Sequence, residues 1–93
     1  MTKENQQAKI LKFIARGKEI EEKEKCKFAG VSRIKGPMYE AWMSEINVFN
    51  ERYLKDHPLH SAIHSAFFHR NTNHNCFYNM MGHLQTLAQD VEY

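Results

Sequence analysis

Ninety-three residues make one domain at most, near the size at which a single hydrophobic core begins to suffice. An apolar share of 42% with 12% aromatic and 26% charged residues excludes a disordered chain, and four Gly with two Pro argue against a turn-rich sandwich or barrel. The net charge of +2 does not by itself imply a polyanionic partner, but it is unevenly spread. Residues 1–35 hold ten Lys/Arg against five Glu, whereas residues 36–93 hold three Lys/Arg against six Asp/Glu. Two such parts can meet an anionic partner or simply attract each other on folding.

The start, MTKENQQAKILKF, has no apolar run of signal length. Apolar runs elsewhere fall short of the roughly 20 residues a membrane helix needs. Cys26 and Cys76 stand apart without CxxC spacing. The expectation is a cytoplasmic chain with no membrane contact and both thiols reduced.

Hydrophobic periodicity predicts an all-α fold, a bundle of three to four amphipathic helices forming a single domain over residues 1–93. The first helix spans residues 3–27, with Thr2 as cap and Ile10, Phe13, Ile14, Gly17 and Ile20 on one side. Gly17 within that stripe marks either a break or a close approach by another helix. Residues 28–36 read as a packed loop, with Phe28, Val31 and Ile34 covering the end of the core.

The second helix, residues 37–55, starts with Pro37 in its first turn, where the missing N–H costs nothing. Tyr39, Trp42, Met43, Ile46, Phe49 and Tyr53 repeat at helical spacing, with Glu40, Ser44, Asn47 and Glu51 opposite. This helix is the expected spine of the core. The third, residues 58–70, carries Leu59, Ala62, Ile63, Ala66 and Phe67 inward. His57, His60, His64 and Phe68 then form an outward face. After the polar stretch Asn71–Asn75, a fourth helix over residues 75–91 buries Phe77, Met80, Met81, Leu84, Leu87, Ala88 and Val91 and turns Tyr78 outward.

The chemically unusual stretch is Pro58–His83, which holds five of the six histidines. His60 and His64 at i,i+4, joined by His57, form a candidate zinc site, although the HExxH pattern and its carboxylate base are missing. Cys76 with His74 or His83 is a candidate nucleophile, without a glycine-rich oxyanion turn. Lys9, Lys12 and Arg16 on the first helix offer phosphate contacts, but no helix–turn–helix arrangement accompanies them.

The segment FFHRNTNH, between two helices of an all-α domain, resembles the motif of HEPN ribonucleases: Arg, a polar residue, then His a few residues later. Here Arg70-Asn71 is followed by His74 after three intervening residues, closer than the family spacing. The resemblance implies that Arg70 would stabilise phosphate charge and His74 would act as general acid or base.

The reading that uses most of the chain is non-enzymatic. Four amphipathic helices bury a modest core, and small bundles often complete it against a partner or a second copy. The expected role is an interaction or regulatory domain, an oligomerising module or an inhibitor of a larger partner. His57, His60, His64, Phe68 and Tyr78 are its contact residues, and the histidines allow charge to change near neutral pH.

Overall fold

In the computed structural model the described residues are 2–28, 31–72 and 75–90, with residues 26–28, 31–33 and 90 described by backbone alone. They form α1 (Lys3–Glu24), β1 (Lys25–Phe28), β2 (Val31–Ile34), α2 (Pro37–Tyr53), α3 (His60–Phe68) and α4 (Cys76–Asp90). α1 packs on α2 and α4, and α3 packs on the same two helices, so the four close into a ring. Cross-helix partners show that neighbours run antiparallel. Arg16 meets Glu45 while Glu24 meets Tyr39, and Gln7 meets Ala88 near the other end of α1. The expected helical bundle is the observed one.

Each helix starts where its local chemistry allows. Thr2 Oγ1 accepts the N–H of Asn5 at 3.1 Å and caps α1, and Pro37 occupies the first position of α2. α2 begins without a side-chain cap from Gly36. Its cap comes instead from Glu24, whose carboxylate accepts the N–H of Met38 at 3.2 Å and of Tyr39 at 2.8 Å. Gly36 sits beside that carboxylate at φ +150°, and a Cβ there would collide with it.

Between α1 and α2 the chain departs from expectation. α1 ends at Glu24, and the segment predicted as helix end and packed loop is an antiparallel pair, with Lys25 opposite Ile34 and Phe28 opposite Val31. Four-residue strands are too short to show a two-residue period against the neighbouring helical one. The remaining boundaries shift slightly: α2 stops at Tyr53, α3 spans only His60–Phe68, and α4 spans Cys76–Asp90. Val91 lies outside the described residues.

Trp42 stands at the centre of the core, fully buried, with its indole N–H donated to the Phe13 carbonyl at 2.8 Å. Its ring lies 5.3 Å from that of Phe77, and Phe13 meets Phe49 edge-on at 5.7 Å. Each such side chain contributes about 1.5–3 kcal/mol on burial. Gly17 resolves in favour of close approach: α1 is unbroken there, and a Cβ would meet Met81 and the Trp42 ring. Two positions on α2 differ from the predicted pattern. Tyr53 is exposed, and Asn50 is fully buried, donating its amide to the His60 carbonyl at 3.1 Å.

Candidate contact surface

The expected histidine face is divided by the late start of α3. His57 lies in the turn before that helix, and its Nδ1 accepts the N–H of Leu59 at 3.0 Å. It therefore belongs to the turn that leads into α3 and does not extend the helix's outer face. His60 also departs from the predicted outward position. Its side chain is only 23% exposed and leans on α2, where Nε2 is 3.8 Å from Glu51 Oε1. His64 is 54% exposed, with Nδ1 3.7 Å from the same oxygen. Both imidazoles thus face one carboxylate, forming ion pairs with it when protonated.

What remains outward on α3 is compact. Phe68 is the most exposed large apolar side chain among the described residues, at 69%. Its ring meets that of His69 edge-on at 5.0 Å, and His64 lies one helical turn before it. Tyr78 belongs elsewhere. It is exposed on α4 and is turned to α1, where partial burial and a hydrogen bond with Glu21 hold its phenol above the ordinary range. Among the contact residues expected together, the structure groups His64 with Phe68, draws His60 half inward, and separates His57 and Tyr78.

Among the described residues no group of three or more His, Cys, Asp or Glu is arranged to hold a metal ion, and His57, His60 and His64 are not brought together as a ligand set.

Arg70 has a structural environment. Its Nε donates to Glu40 Oε2 at 2.9 Å and an Nη donates to the Phe67 carbonyl at 2.9 Å. The guanidinium lies 4.2 Å from the Phe67 ring centre, and the Tyr39 hydroxyl donates to the Arg70 carbonyl at 3.1 Å. These contacts tie the end of α3 to the start of α2. His74, the other member of the ribonuclease-like pair, lies outside the described residues.

Cys76 opens α4 as a free, buried thiol, and burial pushes its pKa up, away from the thiolate that a nucleophile needs. It lines a hollow of about 240 Å³ between α3 and α4 together with His69 and His83. Burial holds the His83 imidazole below its ordinary value, which favours the neutral ring.

The basic residues of α1 are also partly engaged. The Arg16 guanidinium donates to Glu45 at 2.7 Å, which raises the arginine pKa and lowers that of the glutamate. Lys9 lies 5.3 Å from the Phe13 ring centre, and Lys12 is exposed.

Among the described residues no helix is long and apolar enough to cross a membrane. No family model, curated protein or solved structure matches the chain.

Sequence reasoning passed over Glu51, Glu40 and Asn50. The first two stand on the polar side of α2 in the helical pattern, indistinguishable there from solvent-facing acids. Asn50 had one usable signal, since it follows Phe49 and lies one turn after Ile46 on the buried side.

Proposed function

We propose that this chain acts as a small protein-interaction domain, docking through the outer face of α3 on a partner protein or a second copy of itself. The observation that carries the reading is Phe68, 69% exposed and braced by His69 at 5.0 Å. Solvent exposure of so large a ring is unfavourable, and a contact that covers it recovers about 1.5–3 kcal/mol. Its flanking imidazoles are suited to the rim of an interface, where aromatic anchors are surrounded by polar groups. The proposed role is regulatory and non-enzymatic. Its proposed setting is the cytoplasm, where a buried reduced thiol such as Cys76 persists without a disulfide partner.

A photo-crosslinking phenylalanine analogue placed at position 68 tests the reading in cells of the native host, with position 11 as control. Leu11 is 52% exposed on α1 and serves as an equally accessible apolar site away from α3. The expected result is a discrete adduct from position 68, absent from position 11 and lost when His64 is replaced by Glu. Light scattering of the purified chain then separates a second copy from a different partner. Equal labelling from both positions, or none from position 68, overturns the proposal.

A further inference from the structure

A groove passes round the carboxyl end of α2. Its larger hollow, about 690 Å³, includes Arg52, Tyr53, Leu54, Lys55 and His57 in its lining. A second hollow of about 390 Å³ is lined by Lys9, Val48, Phe49, Arg52 and Tyr53, among others. Arg52 and Tyr53 belong to both, so the two hollows share a wall.

The lining combines two properties. Val48 and Tyr53 are 49% and 38% exposed, and the Tyr53 ring rests 5.2 Å from that of buried Phe49, giving an apolar strip along α2. Beside it stand the exposed cations Lys9, Arg52 and Lys55. Among the described residues neither Arg52 nor Lys55 takes part in an ion pair. The acids nearby compensate little: Glu45 is held by Arg16 at 2.7 Å, leaving Asp56 as the other acid in the lining. Positive charge therefore borders an apolar strip, on a helix whose end leaves room for a guest.

We propose that this groove receives an acidic, amphipathic segment of a partner protein. Its apolar side chains would lie on Val48, Phe49 and Tyr53, and its carboxylates would meet Arg52, Lys55 and Lys9. Charge complementarity selects the acidic partner, and an apolar floor with one exposed ring, Tyr53, selects a peptide over a nucleic acid. Single strands are held by stacking successive bases on aromatic rings, and here Tyr53 is the exposed ring. Phe68 and His64 do not line either hollow, so the groove does not depend on the α3 reading.

The test is an NMR titration of the isotope-labelled full chain with a fluorescent peptide of about 12 residues, Leu at helical spacing and Glu between. Control peptides carry Lys for Glu or Ser for Leu, and a uridine oligonucleotide of matched length serves as a polyanion. Amide shifts are expected at Lys9, Val48, Arg52, Tyr53 and Lys55, with the acidic peptide bound at least about tenfold tighter than any control. Arg52→Glu and Val48→Ser, both at exposed positions, are each expected to weaken it by about tenfold while Phe68→Ser leaves it unchanged. Equal binding of a control peptide overturns the proposal, as does a shift pattern elsewhere. The oligonucleotide binding as tightly through the same residues overturns it in favour of a phosphate site.

Discussion

The carboxylate of Glu24, the last residue of α1, accepts the backbone N–H of Tyr39 in the first turn of α2 at 2.8 Å. One side chain thus ends one helix and caps the next, across the short hairpin between them. A negative charge at a helix N-terminus also meets the positive end of its dipole. Glu24→Ala is expected to cost about 1 kcal/mol, as for loss of an N-cap. Gly36→Ala should cost about 1–3 kcal/mol, because it adds backbone strain at φ +150° to a collision with the same carboxylate. Urea unfolding midpoints of the two variants and of their combination check both values. Non-additivity is expected, since the alanine methyl has less to collide with once Glu24 is gone.

Two helical glycines should respond in opposite directions. A Cβ at Gly17 meets Met81 and the Trp42 ring, so Gly17→Ala is expected to destabilise by about 1–3 kcal/mol through overpacking. A Cβ at Gly82 meets nothing within 4 Å, and Gly82→Ala should stabilise by about 0.4–1 kcal/mol through the unfolded chain. Thermal midpoints of the pair, measured side by side, separate close packing from simple helix propensity.

Arg70 joins α3 to α2 through Glu40, the Phe67 carbonyl and the Phe67 ring. Arg70→Ala is expected to lose about 1–2 kcal/mol, a discounted figure because the Glu40 side chain is 41% exposed. Arg70→Lys should recover only part of this, since an ammonium cannot reproduce the planar fork that meets both acceptors. Unfolding of the two variants at low and high salt measures the electrostatic share.

Acid should weaken the fold through His83. Burial depresses its folded pKa, so the unfolded chain takes up the proton first as pH falls below the ordinary value of 6.5. The stabilising contribution is complete above that value and declines as pH falls from there through the depressed folded one. His83→Gln removes the difference. The wild-type melting temperature is therefore expected to drop more than that of the variant between about pH 7.5 and about pH 5. Parallel curves for the two proteins would show that His83 carries no such linkage.

The proposed contact surface was less legible in the sequence than the fold. The outward position of Phe68 follows from the wheel alone, because nothing in α3 at its spacing is buried. His60 shares that side of the wheel, yet α2 lies close enough to draw it in toward Glu51. His57 departs from that face for a different reason: Pro58 begins a turn before the helix, and the ring bonds the backbone of that turn at Leu59.

Sequence alone was enough for the helical class, most buried positions of the described helices, the Thr2 cap and the proline start of α2. These rest on local periodicity and on backbone rules that act within one or two turns. Tertiary structure decided that Glu24 caps α2, that Glu51 lies between two imidazoles, and that Arg70 belongs to Glu40. It also turned Tyr53 out to the groove and Asn50 into the core. A polar side chain chooses its partner by distance across helices, and that distance exists only once the apolar stripes have packed.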